Sequence, residues 1–179
     1  MKFLPTTIPE VILIAPQVFG DERGFFQETY HLEKFFRGGI GATFVQDNHS
    51  RSRRGVLRGL HYQIRQPQGK LVRVLRGSIW DVAVDLRRSS PTFGRWVGAT
   101  LDDQEFHQLY VPPGFAHGFC VLSESADVAY KCTETYLPEA ERTLLWNDPE
   151  LGISWPISDP VLSSKDQQGL RLSEAETFP

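Results

Sequence analysis

The sequence predicts an all-β protein, a sandwich or barrel of short strands, and three observations carry that expectation. From Val56 onward, apolar and β-branched runs of strand length recur at roughly 8 to 12 residue spacing. Turn formers fall between the runs, with 15 glycines and 12 prolines among 179 residues. One run also alternates cleanly, with Trp80, Val82, Val84 and Leu86 on one face and Ile79, Asp81, Ala83 and Asp85 on the other. Two carboxylates on that second face require it to have polar duties.

In chain order, Ile8 to Val18 alternates loosely and ends near prolines, as an edge strand would. Gly20-Asp21 and Gly24 flank Arg23 as turn residues, and Phe25 to Glu28 could continue as a strand. Arg23 alone reads as a surface charge, and Phe25 and Phe26 as core. His31 to Gly39 places Leu32, Phe35 and Phe36 at helical spacing before a glycine stop. Ala42 to Asp47 is a short strand, and Gln46 to Ser50 is polar enough to be a turn unless its side chains serve a ligand. Strands follow over Val56–Ile64, Lys70–Arg76, Ser78–Leu86, Arg95–Leu101, His107–Val111, His117–Leu122 and Val128–Tyr136. Within the first of these, strict alternation would put Arg58 opposite His61, but Gly59 is expected to mark a bulge that turns the arginine inward. In the last, Tyr130, Cys132, Glu134 and Tyr136 share a side, so a cavity there would receive two phenols. Beyond Tyr136 the pattern breaks into turns, with a short helix expected near Leu162 to Gln167.

Length and composition bound the rest. The chain, residues 1–179, fits one domain with a sizeable core, and 40% hydrophobic with 23% charged residues is ordinary for a globular protein. The start lacks the apolar core of a secretion signal, and no run approaches the roughly 20 apolar residues of a membrane span. A cytoplasmic protein with no membrane partner is expected. Cys120 and Cys132 are too few for a disulfide framework and are expected to be reduced. A net charge of -3 argues against a nucleic-acid partner.

That mild acidity hides a local excess of the opposite sign. Between Asp47 and Asp81 stand Arg51, Arg53, Arg54, Arg58, Arg65, Lys70, Arg73 and Arg76 without one carboxylate. Such a field calls for an anionic ligand. His61 lies within it, and His117 opens a later strand after Pro112-Pro113-Gly114. Histidines on two strands of a β-barrel first suggest a cupin-type metal site. Here the second histidine of a His-x-His pair is Gln63, the following acid is absent, and cations stand nearby, so metal is not expected. A histidine base, a lysine facing an oxyanion and a tyrosine acid would instead suit proton abstraction α to a carbonyl. Composition and spacing alone weigh that reading evenly against core or surface roles for the same residues.

Six segments occur in one order: G-V-L-R-G-L-H-Y-Q (Gly55 to Gln63), G-K-L-V-R-V-L-R-G (Gly69 to Gly77), I-W-D-V-A-V-D-L-R with S-P-T-F-G-R-W (Ile79 to Trp96), P-P-G-F-A-H-G-F (Pro112 to Phe119), Y-K-C (Tyr130 to Cys132) and W-N-D-P (Trp146 to Pro149). Together they closely resemble the dTDP-4-dehydrorhamnose 3,5-epimerase family, from about Phe19 to Asp166. The resemblance implies a cupin-like jelly roll with a few short peripheral helices, no cofactor and no metal. It implies a homodimer acting on a dTDP-4-keto-6-deoxy sugar, with inversion at C3 and C5. It also implies that His61 is the base, Asp166 the carboxylate that orients it, Lys70 the cation facing the enolate and Tyr130 the acid on the opposite face. By the same match, Arg23, Glu28, Gln46, Asp47, Asn48, Arg58, His117, Glu141 and Lys165 hold nucleotide and sugar, with Lys70 also in contact. Phe25 or Phe26 is a candidate to stack on thymine. The chain departs from the family pattern at Ser164, where an acid is frequent, and at Arg142-Thr143. Rival readings are a single-centre epimerase, a keto-isomerase, or a non-catalytic sugar-nucleotide-binding cupin.

Overall fold

Alternating burial lays down two antiparallel sheets whose inner faces meet. The computed structural model describes residues 1–179. One sheet runs, in spatial order, β1 (Lys2–Pro5), β2 (Ile12–Ala15), β10 (Gln108–Val111), β7 (Lys70–Arg76), β12 (Ser125–Cys132) and β5 (Gln46–Arg53). The other runs β13 (Glu141–Thr143), β6 (Leu57–Gln63), β11 (Phe115–Val121), β8 (Ser78–Asp85) and β9 (Trp96–Asp102). A hairpin of β3 (Val18–Asp21) and β4 (Gly24–Gln27) stands apart from both. Two α-helices, α1 (Leu32–Arg37) and α2 (Ser164–Gln167), and one 3-10 turn, Pro138–Ala140, complete the set. Successive strands cross between the sheets, which makes this a cupin-like jelly roll.

Between the sheets Val72, Val74, Leu109 and Val128 meet Ile79, Ala83, Phe119 and Val121. The predicted alternation of β8 is present: Trp80, Val82, Val84 and Leu86 face outward and are covered by Leu144, Leu151 and Leu172 of the irregular C-terminal region. That region has little regular structure, and its apolar side chains cap this sheet face. α1 does the same for the other sheet, laying Phe35 on Ile14, Leu71 and Tyr110. The polar duty of Asp85 is structural. Burial would raise its pKa, but hydrogen bonds from Arg87, Ser90 and Thr92 outweigh that and hold it at about 2.

Several local expectations change, and the strand expected over Ala42–Asp47 begins only at Gln46. Gln46 to Ser50 is not a turn but the first half of β5, paired along its length with β12. Its inner and outer positions alternate in burial, and both faces are polar because the inner one borders a cavity. Ladder hydrogen bonds, which side-chain polarity does not report, supply the strand. The strand expected over Val128–Tyr136 begins and ends earlier, leaving Tyr136 in the following loop. Phe25 and Phe26 are 59% and 69% exposed, so neither belongs to the core.

Gly59 does mark a bulge. His117 pairs with His61 while Phe119 pairs with Arg58, so β6 spends one extra residue against β11. That residue resets the alternation and puts Arg58 on the same face as His61. Gly59 has φ +131°, and a Cβ there would meet Gly118 Cα at 2.5 Å. Backbone cannot yield as a flexible side chain can, so Gly59→Ala is expected to cost more than about 2 kcal/mol. In thermal denaturation this is a Tm loss of about 5 °C or more.

Candidate active site

Where the sheets part, they enclose a cavity of about 350 Å³. Gln46, Asn48 and Ser50 of β5, Lys70 of β7 and Tyr130 of β12 line it from the first sheet. Arg58 and His61 of β6, His117 and Phe119 of β11 and Glu141 of β13 line it from the second. The sheet registers explain the gathering. Asn48 pairs with Tyr130 and Gln46 with Cys132, which in turn pairs with Lys70, so their inward side chains fall in adjacent rows. Opposite them, His61 pairs directly with His117. Tyr130 and His61 therefore belong to facing sheets and border the same space.

His61 Nε2 lies 2.5 Å from Asp166 Oδ1, and the Asp166 side chain is only 4% exposed. Asp166 sits on α2 because Ser163 caps that helix, accepting from the Asp166 amide while its hydroxyl donates to Oδ2 at 2.7 Å. Burial opposes ionisation of Asp166, yet the hydrogen bonds from His61 and Ser163 prevail and lower its pKa. His61 is itself pulled below its ordinary value, first by burial and then by Lys165 and Lys70, with Asp166 acting in the other direction. An imidazole so placed stays neutral at pH 7 with its second nitrogen, Nδ1, unclaimed by Asp166.

Lys70 reaches the His61 carbonyl at 3.4 Å, and its pKa is lowered by burial against the opposing pull of Cys132, Asp81 and Glu141. Tyr130 is raised, mainly by burial, so its phenol keeps its proton at neutral pH. At the mouth Glu141 accepts from Lys165 at 2.7 Å and from Tyr136 Oη at 2.9 Å. No group of three or more His, Cys, Asp or Glu is placed to hold a metal ion.

Of the residues singled out in the sequence, Gln46, Asn48, Arg58, His61, Lys70, His117, Tyr130, Glu141 and Lys165 line the cavity, and Asp166 stands directly behind His61. Arg23, Glu28 and Asp47 do not line it. Arg23 pairs with Asp21 on the exposed hairpin, Glu28 with Lys34, and Asp47 with Lys131 on the outer face of β5. Ser50, Gln68 and Phe119 also line the cavity and were not foreseen. The signal for Ser50 was period two from Asn48, once that segment is a strand. Asp81, whose duty the sequence left open, lies behind His117, with Oδ1 2.8 Å from Nε2.

If His61 acts as a base it must be neutral, and its lowered pKa keeps it so at lower pH. The acid limb of kcat/KM is then expected below 6.5, the ordinary histidine value. Asp166→Asn removes the interactions that raise His61 and should move the limb lower still while reducing kcat. A pH–rate profile of both proteins checks this, and a limb at or above 6.5 in the wild type contradicts it.

A jelly roll with a His–Asp pair, a tyrosine from the facing sheet and several cations around one cavity has the make-up of a sugar-nucleotide isomerase. The chain belongs to the dTDP-4-dehydrorhamnose 3,5-epimerase family, whose family model matches residues 5–174. It is 59% identical to the dTDP-4-dehydrorhamnose 3,5-epimerase of Pseudomonas aeruginosa, with 100% of each chain covered. The crystal structure of dTDP-6-deoxy-D-glucose-3,5-epimerase from Legionella pneumophila, in complex with dTDP-4-keto-L-rhamnose, superposes with a TM-score of 0.95 at 51% identity, covering 98% of this chain and 94% of that one. A dTDP-4-dehydrorhamnose 3-epimerase from Streptomyces niveus is 42% identical, over 98% of this chain and 86% of its own. No helix is long and apolar enough to cross a membrane.

Proposed function

We propose that the chain epimerises dTDP-4-dehydro-6-deoxy-D-glucose at C3 and C5 to dTDP-4-dehydro-L-rhamnose, by acid/base chemistry without a metal. One observation carries the reading: a histidine backed by a buried carboxylate and a tyrosine from the opposite sheet border one cavity. The 4-keto group acidifies the C–H bonds on both sides of it. His61 takes a proton from C3 or C5, the electron pair moves to the carbonyl oxygen, and the Lys70 ammonium stabilises the resulting enolate. Tyr130 returns a proton to the same carbon from the other face, which inverts it. A single group acting on one face would restore the original configuration. Arg58, His117 and the mouth residues hold the nucleotide diphosphate, binding energy that fixes the ring at the reacting groups.

We read the active unit, one jelly-roll domain over residues 1–179, as a cytoplasmic homodimer. Two buried, unpaired cysteines, Cys120 and Cys132, support a reducing compartment. The β3–β4 hairpin supports the dimer: it presents Arg23, Phe25 and Phe26 to solvent, away from this chain's own cavity. A second copy would give these residues, with Glu28, a nucleotide to hold.

The test is incubation with dTDP-4-keto-6-deoxyglucose in deuterated water, with and without a chelator. Deuterium should enter at both C3 and C5, and the chelator should leave the rate unchanged. A second reading, inversion at C3 alone, is favoured by the 42% identity to the Streptomyces niveus 3-epimerase. Label at one carbon only would establish it, and none at either would reduce the cavity to a binding site.

A further inference from the structure

We infer that Asp81 is a positioning residue for substrate binding: it holds His117 with Nδ1 turned to the diphosphate as an N–H donor, a second His–Asp pair that binds rather than reacts. This deepens the epimerase reading and rests on it for the identity of the ligand. The arrangement follows from strand register. On the inner face of the second sheet His117 of β11 pairs with Ala83 of β8, and Asp81, two residues before Ala83, is its diagonal neighbour. Asp81 is 0% exposed, and its one hydrogen bond is from His117 Nε2, at 2.8 Å. Its other oxygen, Oδ2, is buried with no partner in the chain.

A buried carboxylate with a single partner is costly and is kept only where opposite charge offsets it. Lys70 supplies one such charge close by, since Asp81 and Lys70 attract each other. The two histidines face each other in register across β6 and β11, but their settings differ. Asp166, behind His61, is also bonded to Ser163, and Lys70 and Tyr130 complete a reacting set around that pair. His117 lies beside Arg58 instead: Arg58 pairs with Phe119, the next inward residue on β11, so guanidinium and imidazole occupy adjacent places on one wall. Phe119 also leans on the His117 ring, with centroids 6.5 Å apart.

A carboxylate and a diphosphate are acceptors only. An imidazole bridging them donates from both nitrogens, and a nitrogen that donates to the ligand has no lone pair with which to take a carbon-bound proton. By holding Nε2, Asp81 fixes which nitrogen the ligand meets.

Binding of dTDP and of thymidine, measured by calorimetry alongside steady-state kinetics, tests the assignment. Asp81→Asn is expected to weaken dTDP binding and raise the sugar-nucleotide KM about tenfold or more, with thymidine binding unchanged. Its kcat loss should be smaller than that of Asp166→Asn by about an order of magnitude, whereas Asp166→Asn should leave dTDP binding near wild type. His117→Gln should reproduce the dTDP defect, and adding Asp81→Asn to it should cost nothing more, since a residue acting through His117 has nothing left to position. Equal loss of kcat in both aspartate variants at unchanged dTDP affinity, or additive losses in the double variant, would overturn the inference. If Asp81→Asn does not fold, His117→Gln decides alone, and a kcat defect without a dTDP defect would sink it. The dTDP measurements stand even if the wild type fails to turn over the keto-sugar, which would refute the proposed reaction separately.

Discussion

In His61→Asn, deuterium uptake at C3 and at C5 is expected to fall together, by a factor of about 10² to 10⁴. Asparagine keeps much of the imidazole's size and can still hydrogen-bond Asp166, so the loss measures the base and not the wall. Both carbons should fail because the cavity holds one imidazole in a reacting setting. His61 is neutral, backed by a buried carboxylate and close to Lys70. His117 is committed by Nε2 to Asp81. Nuclear magnetic resonance of the recovered sugar nucleotide reads the label at each carbon. Persistent exchange at either one would show that a second base exists, and His117 would then be the first candidate.

Tyr130→Phe is expected to separate two events that the wild type couples. Proton abstraction by His61 continues, so label still enters from its face, while yield of inverted product drops by a factor of about 10² to 10⁴ because no acid stands on the other side. The ring remains, and with it the packing of Tyr130 against the inter-sheet core, so Tm should barely move. Burial raises the Tyr130 pKa, so the wild-type phenol keeps its proton at neutral pH. Product formation at the wild-type rate in this variant would remove the tyrosine from the mechanism and leave inversion to solvent or to Tyr136, the other phenol at the mouth.

Much of the architecture was legible because it rests on local periodicity. The alternation of Ile79 to Leu86 announced a strand with one apolar face and one face carrying two carboxylates, and the glycine at position 59 pointed to the bulge that brings Arg58 beside His61. Gln46 to Ser50 was misread because a strand bordering a polar cavity has no apolar face to display. Tyr136 reaches the cavity from a loop rather than from the strand expected to carry it, so the period that pointed to it was right about direction and wrong about structure.

Residue order by itself determined the layered β architecture, the concentration of cations between Asp47 and Asp81, and the set of titratable groups available for chemistry. Each is a property of neighbours along the chain or of composition. Which groups act together was decided only in three dimensions. Asp166 stands 105 residues from His61, and Tyr130 reaches the same cavity from the facing sheet. The exile of Arg23, Glu28 and Asp47 from that cavity was decided there too. Proximity between distant residues comes from sheet register and the crossing of strands between layers, and side-chain periodicity records neither.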